Sequence, residues 1–311
     1  MSGDGPAPAL SLVVPVYNEE DNVAPLHAEL GRIASDLARS YEIVFVNDGS
    51  RDRTLRRLEA LAAADPHLRI VDLDGNFGEA AALSAGFAHA RGAVIVTLDG
   101  DGQNDPADIP RLLARLEDGF DVVSGRRVER REAFVSRVLP SRIANWLIAR
   151  ATGVPVYDCG CGLKVYRREV VAGAQLPRGM NRFLPAILGV DPARVAEVPV
   201  QDRPRGGGRS HYGLERVFIV CRDLVALPLL VRRRPRSRAL ARALGTTGAA
   251  LAGVGVVALV SALVRPATRG MALAGALATL CVAVTGRAIG HNLDRFVTAQ
   301  EEGVFRVRRV V

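Results

Sequence analysis

Ala93-Val-Ile-Val-Thr-Leu98-Asp99-Gly-Asp101-Gly-Gln103-Asn-Asp-Pro106 decides how this chain folds. A continuous apolar run, too short for a helix, reads as a strand buried on both faces, and it ends in carboxylates, glycines and turn formers. The same grammar appears three times upstream. Leu10 to Pro15 leads through Tyr17-Asn-Glu19 into a helix from Asn22 to Ala38, and Glu42 to Val46 leads through Asn47-Asp48-Gly-Ser50 into a helix from Asp52 to Ala63. Leu68 to Leu73 leads through a glycine-containing loop into a helix from Glu79 to Ala90. Strands alternating with helices predict an α/β architecture, a parallel open sheet with helices on both faces. Ligands of such sheets bind beyond the carboxyl ends of the strands, so the polar clusters after strands one, two and four are expected to converge on one crevice.

Farther along, Asp121 to Ser124 reads as another strand, followed by an arginine-rich loop (Arg126 to Arg131) and a helical stretch from Arg137 to Ala151. Asp158-Cys-Gly-Cys-Gly-Leu-Lys-Val-Tyr-Arg167 comes next, then a loop from Arg203 to Arg209 whose three successive glycines suit a lid that orders on ligand binding. Two nearly charge-free stretches, Thr246 to Val264 and Met271 to Gly286, lie in the last quarter. The first approaches the roughly 20 residues that cross a bilayer, while the second reaches that length only by including Arg287. Together they predict a two-helix transmembrane hairpin. Arg232, Arg233, Arg234, Arg236, Arg238 and Arg242 precede it, against Arg265 and Arg269 in the connecting loop, so the positive-inside rule puts the amino-terminal part in the cytosol. MSGDGPAPAL lacks the basic and apolar regions of a signal peptide.

The chain has 311 residues, 49% of them hydrophobic, and a formal net charge of +8, which excludes an intrinsically disordered protein and favours an anionic partner. Basic residues without interleaved aromatics argue against single-stranded nucleic acid and for a membrane surface or anionic substrates. Four cysteines do not make a disulfide framework, and Cys159-Gly-Cys161 without a second pair is a poor zinc site, so all four are expected to be reduced. His27, His67, His89 and His291 match no ligand spacing, and Trp146 reads as a packing residue.

Asp99-Gly-Asp101 carries the sharpest chemistry. Two carboxylates two residues apart can both reach a hard divalent cation and the phosphates it binds, although Asp and Gly also end strands for purely local reasons. Pro15-Val-Tyr-Asn-Glu19 and Val46-Asn-Asp-Gly-Ser50, ending strands that point to the same edge, shift the balance toward a site. With Asn76-Phe-Gly78, Ala81, Gly86, Ser124-Gly-Arg126 and the segment from Asp158 to Arg167, these motifs make residues 10 to 230 resemble the family-2 glycosyltransferases. The similarity is to the dolichol-phosphate mannose synthase-like branch, which glycosylates polyprenyl or dolichyl phosphate.

That resemblance implies a GT-A-type open sheet in which Pro15, Tyr17, Glu19 and Asp48 hold the nucleotide. Asp99 would lie at the ribose and phosphates, and Asp101 with Gln103, alongside Asp99, would bind Mg²⁺ or Mn²⁺. It also implies that Arg126, Arg137 and Ser141 receive the acceptor phosphate, whereas Arg127, Arg130 and Arg131 read as a solvated basic loop. Asp158 stands where the wider superfamily has its catalytic carboxylate, but a lipid phosphate with a second pKa of about 6 hardly needs a base, so a positional role suits it. In the mobile loop, Ser210 is followed by His211 where the family has lysine, leaving open which of Arg203, Arg205, Arg209 and His211 meets the diphosphate. The expected plan is a cytosolic catalytic domain at 1–230, a basic juxtamembrane segment at 231–245, a hairpin at 246–290 and a basic tail at 291–311. The expected activity is inverting transfer of a mannose- or glucose-type hexose from a GDP- or UDP-linked donor to polyprenyl phosphate in a membrane lipid, with homo-oligomerisation left open. A polysaccharide-extending synthase would show a Gln-x-x-Arg-Trp motif, which is missing; an inactive scaffold binding nucleotide sugars or anionic lipid is the other alternative.

Overall fold

β1 (Leu10–Val16), β2 (Tyr41–Asn47), β3 (Leu68–Leu73) and β4 (Val94–Thr97) form a parallel core in the order β3-β2-β1-β4. The computed structural model describes residues 6–128, 149–150, 153–154, 156–203, 246–247, 253, 256–257 and 269–311. All seven side chains of β1 are buried, because helices cover the sheet on both faces. The connections are α1 (Val23–Asp36), α2 (Thr54–Ala62) and α3 (Glu79–His89), while α4 (Ile109–Glu117) follows the polar cluster after β4. α3 is rich in alanine and comes so close to the sheet that a Cβ on Gly86 would lie 2.3 Å from Val13 Cγ1. α1 and α4 bury Leu26, Leu30, Ile33, Leu112 and Leu116 in one core with Leu12, Val14, Phe45 and Val96.

The sheet is mixed rather than wholly parallel. β5 (Val122–Arg127), β6 (Lys164–Arg167), β7 (Val195–Val200) and β8 (Val307–Val310) extend it to eight strands, ordered β7-β5-β6-β4-β1-β2-β3-β8. β6 runs antiparallel to β4 and β5, because the chain re-enters at the carboxyl edge, where Lys164 pairs with Thr97, and needs no crossover helix. β7 lies parallel to β5 at one edge. β8 lies antiparallel to β3 at the other, so the tail expected at 291–311 is divided.

Two compact units result, one made of residues 1–211 with 303–311 and the other of 212–302. In the second unit α5 (Arg269–Glu302) runs for 34 residues. The expected transmembrane hairpin is not found: among the described residues no helix is long and apolar enough to cross a membrane. Its second arm, 271–286, is a Gly- and Ala-rich part of α5 that rises roughly 24 Å before Arg287, short of a hydrocarbon core of about 30 Å. The first arm, 246–264, lies outside the described residues apart from five positions.

Candidate active site

The ends of β1, β2 and β4 meet at one edge of the sheet. Gly100, between the two acids, packs flat on β1: a Cβ there would lie 2.8 Å from the Pro15 carbonyl oxygen and 2.6 Å from Val16 Cγ1. No larger residue could separate Asp99 from Asp101 without pushing the acidic turn off the strand. The turns after β1 and β2 are laced together. Asn18 donates its N–H to Ser50 Oγ (3.0 Å) and accepts from the Arg51 N–H on Oδ1 (2.8 Å), while the Glu19 N–H donates to Thr54 Oγ1 (2.9 Å). Asn22 Nδ2 donates to Glu19 Oε2 at 2.6 Å, and the Tyr17 side chain is exposed.

Asp48 is buried at the head of α3. Its N–H donates to the Val16 carbonyl (2.9 Å), and its carboxylate accepts from the N–H groups of Phe77 (2.7 Å) and Gly78 (2.8 Å). The carboxylate thereby satisfies donors at a helix start, where the helix dipole favours negative charge. Burial nevertheless pushes its pKa up, against the two backbone bonds and the Arg178 charge. Gly78 has φ +92°, and a Cβ there would meet Arg178 Nε at 3.0 Å, so glycine serves both the turn and the arginine lying over it.

Glu79 follows at once in α3, and its charge acts on Asp99. The half-buried Asp99 carboxyl lies against Gly162, where any Cβ would come within 2.3 Å of its oxygens. Burial, then the charges of Glu79 and Asp101, push the Asp99 pKa up, and Lys164 and Arg127 only partly oppose them. Asp101 is buried and accepts the Gln103 N–H at 3.1 Å; Asn104 Oδ1 accepts the Asp99 N–H at 3.0 Å. Lys164 is buried below, donating to the carbonyls of Cys159 (3.4 Å) and Cys161. Burial pushes the Cys161 thiol up to about 12; Cys159 and Cys161 are buried free thiols, and Cys281 is an exposed one.

Asp158 is 2% exposed and tied to Arg127. It accepts from the Arg127 backbone N–H (3.2 Å) and Nε (2.9 Å) on Oδ2, and from Nη2 (3.0 Å) on Oδ1. Glu197 on β7 accepts the N–H groups of Tyr157 (2.7 Å) and Asp158 (2.9 Å), and burial raises its pKa. Arg127 therefore corrects its reading as a solvated loop residue: it is the counterion of the buried acid. Nothing in the sequence around 126–131 signals this; the clue would have been that a buried Asp158 requires a cation.

Arg126, next to it on β5, is exposed. Arg137 and Ser141 lie outside the described residues, as do Arg205, Arg209 and His211. Arg203 is committed to Glu29 (2.8 Å from Nη1 to Oε2 and from Nη2 to Oε1) and Asp105 (2.6 Å), and its N–H donates to the Gln103 carbonyl at 2.8 Å. It anchors the segment leaving β7 onto the acidic turn.

Among the described residues no group of three or more His, Cys, Asp or Glu forms a metal cage. The donor set still fits a hard divalent cation. Asp99 and Asp101 bring two carboxylates, and the pKa of Asp99 is raised first by burial and then by the charges of Glu79 and Asp101; Mg²⁺-like ions take one or two carboxylates and fill the rest with water and substrate phosphates.

Comparison with known proteins agrees with this geometry. Residues 11–173 match the profile of the family described as glycosyl transferase family 2. The chain is 41% identical over 231 residues to dodecaprenyl-phosphate galacturonate synthase of Rhizobium johnstonii, covering 73% of this chain and 68% of that one. It is 39% identical over 221 residues to undecaprenyl-phosphate 4-deoxy-4-formamido-L-arabinose transferase of Pseudomonas aeruginosa, covering 71% and 65%. The chain thus spans only about two thirds of the length of these relatives. Among solved structures, Mycobacterium tuberculosis glucosyl-3-phosphoglycerate synthase with Mn²⁺, UDP-glucose and phosphoglyceric acid has the same fold, with a TM-score of 0.55, 20% identity and coverage of 71% of this chain and 79% of that one. A mixed sheet with its acidic turn at the carboxyl edge, a profile match over half the chain and relatives this similar lead to one assignment: the chain belongs to glycosyl transferase family 2.

Proposed function

We propose that the protein transfers a sugar from a nucleoside-diphosphate donor to polyprenyl phosphate, with inversion at the anomeric carbon. The observation that carries the reading is the meeting of Asp48, Asp99 and Asp101 at one strand edge, in a chain whose relatives are named for transfer to dodecaprenyl or undecaprenyl phosphate. In this reading Pro15, Tyr17, Glu19 and Asp48 enclose the base and ribose. Asp101, Asp99 and Gln103 would hold Mg²⁺ or Mn²⁺, which when bound offsets the charge of the diphosphate. The Mn²⁺- and UDP-glucose-bound fold neighbour favours a UDP-type donor.

A phosphate oxygen of the lipid attacks the anomeric carbon as the bond to the diphosphate oxygen breaks, and the leaving group keeps the bonding pair. The nucleophile is already anionic near neutral pH, so no side chain has to remove a proton. Asp158 then acts by position: fixed by Arg127, it holds the Asp158–Lys164 loop beside Asp99. Arg126, Arg137 and Ser141 are assigned to the acceptor phosphate, a role that suits guanidinium and hydroxyl donors. The sugar is revised: the relatives named for galacturonate and formamido-arabinose favour a uronic acid or a 4-amino-4-deoxypentose derivative over mannose or glucose. A polyprenyl acceptor puts the reaction at a membrane surface, on the cytosolic side if the 232–242 arginines obey the positive-inside rule.

The test is incubation with undecaprenyl phosphate and a panel of UDP- and GDP-linked uronic acids, formamido-pentoses and hexoses, with the lipid product identified by mass. A single lipid-linked sugar is expected. Donor binding without turnover would favour the inactive scaffold, and a polymer product would favour a polysaccharide-extending enzyme.

A further inference from the structure

β8 comes from the far end of the chain, yet it reaches the two loops that brace Asp48. Asp72, on β3, is fully buried, and its two oxygens face different ways. Oδ1 accepts Asn47 Nδ2 at 2.7 Å; Oδ2 faces Arg308 Nη1 at 3.3 Å, with Arg309 Nε at 3.7 Å. Asn47 in turn accepts the Ser50 N–H on Oδ1 at 3.3 Å, closing the turn that carries Asp48. A second path runs along the backbone. The Asp74 N–H donates to the Arg306 carbonyl (3.0 Å), and Arg308 Nη2 donates to the Asp74 carbonyl (3.4 Å). Asp74 leads into Gly75, which touches Gly49 so closely that a Cβ on Gly49 would lie 2.5 Å from Gly75 C, and then into Phe77 and Gly78, the donors to Asp48.

We propose that Arg308 is a positioning residue for the nucleotide pocket, acting through the buried Asp72 on Asn47 and the turn that carries Asp48. The proposal rests on the nucleotide-donor reading above. Its physical basis is that a buried carboxylate keeps its charge, and its fixed acceptor geometry, only while a cation and hydrogen bonds compensate it. Without the Arg308 guanidinium, Asp72 keeps only the more distant Arg309 on Oδ2, and the buried carboxylate that orients the Asn47 amide is held by fewer contacts. The Asp48 turn is then held by fewer constraints, and the pocket has to be ordered at the expense of nucleotide binding.

The full-length protein in detergent is titrated calorimetrically with UDP and with GDP in the presence of Mn²⁺. For whichever nucleotide the unmodified protein binds, Arg308→Met is expected to weaken binding roughly tenfold, equivalent to about 1.4 kcal/mol. Arg308→Lys recovers most of that loss, and the isosteric Asp72→Asn, which leaves both arginines of β8 in place, reproduces it. The KM for polyprenyl phosphate stays unchanged in all three. Glu59→Gln, which breaks the exposed Arg309–Glu59 pair on the same strand, serves as the control and binds as the unmodified protein does. Unaltered nucleotide affinity in both Arg308→Met and Asp72→Asn would overturn the proposal, as would an equal loss in Glu59→Gln. An unmodified protein that binds neither nucleotide would instead overturn the donor-site reading on which the proposal stands.

Discussion

Replacing Asp158 by asparagine separates a positioning acid from a catalytic base. Asp158 is almost fully buried and takes three N–H groups of Arg127 between 2.9 and 3.2 Å, while the Arg127 side chain keeps 22% of its surface exposed. Two opposite charges about 4 Å apart attract by roughly 4 kcal/mol at an effective dielectric constant of about 20, and breaking a buried pair by removing one partner costs about 3–5 kcal/mol. Asparagine keeps one acceptor oxygen, which brings the expected loss down to about 2–3 kcal/mol. For a unit of this size that lowers the melting temperature by roughly 4–12 °C. The double variant Arg127→Met with Asp158→Asn should cost less than the two singles added together, because the pair is lost only once. Transfer to polyprenyl phosphate should survive in Asp158→Asn, within about tenfold, with an unchanged pH–rate profile below neutrality. Loss of a general base predicts a different pattern, a roughly 10²–10⁴-fold lower rate and a vanished acidic limb whatever the melting temperature does. That second pattern would refute the positional role.

Asp101→Ala should abolish transfer while leaving the melting temperature of the metal-free protein nearly unchanged; retained turnover would remove Asp101 from the metal site. Gly162→Ala places a methyl 2.3 Å from the Asp99 carboxylate, so it should depress activity more than Gly31→Ala, where a Cβ meets nothing within 4 Å; equal effects would show that the Asp99–Gly162 approach does not matter. At the opposite ends of the strands, burial opposes ionisation of Glu42, but the Ser11 hydroxyl, the Arg91 N–H and guanidinium, and Arg69 outweigh it and hold the carboxyl below its ordinary 4.5. A depressed folded pKa means stability that is present above pH 4.5 and lost as pH falls below it. Glu42→Gln should therefore flatten the acid limb of a melting-temperature profile, and an unchanged limb would contradict this account.

The first four strands and their helices were legible because each is an apolar run closed by turn formers, and burial on both faces writes that pattern plainly. The later strands carry weaker signals. β6 reads Lys-Val-Tyr-Arg, and Lys164 is inside only because the carbonyls of Cys159 and Cys161 receive its ammonium. β7 contains Pro199, which cannot donate to a ladder, and its place at the sheet edge is where such a strand is tolerated. β8 looks like a basic tail because half of it is arginine; its acidic partners, Asp72 and Glu59, lie more than 230 residues earlier in sequence. At the site, Asp99 and Asp101 announce themselves by spacing. Arg127 does not, because a counterion is defined by the burial of its partner, and sequence spacing carries no burial.

The distribution of charge supports one further step. Several arginines that made the chain look basic are internal counterions: Arg69 and Arg91 on Glu42, Arg127 on Asp158, Arg203 on Glu29 and Asp105, and Arg308 on Asp72. The acids they meet are already subtracted in the formal +8, so that excess is carried by other arginines, the 232–242 cluster among them. Asp99 stands apart from the paired acids. Its pKa is raised by burial, Glu79 and Asp101, and no arginine or lysine among the described residues pairs with it at salt-bridge distance. A carboxyl whose folded pKa lies above the unfolded 3.8 stabilises the fold while protonated and loses that contribution as pH rises through its folded value. Metal-free protein should therefore melt lower at pH 9 than at pH 6, and Asp99→Asn should remove much of that slope while abolishing transfer. Mn²⁺ should raise the melting temperature of the unmodified protein at pH 9 but not that of the variant. If the variant keeps the full slope, or if Mn²⁺ stabilises both alike, then Asp99 is not where the uncompensated charge resides, and the cation belongs elsewhere.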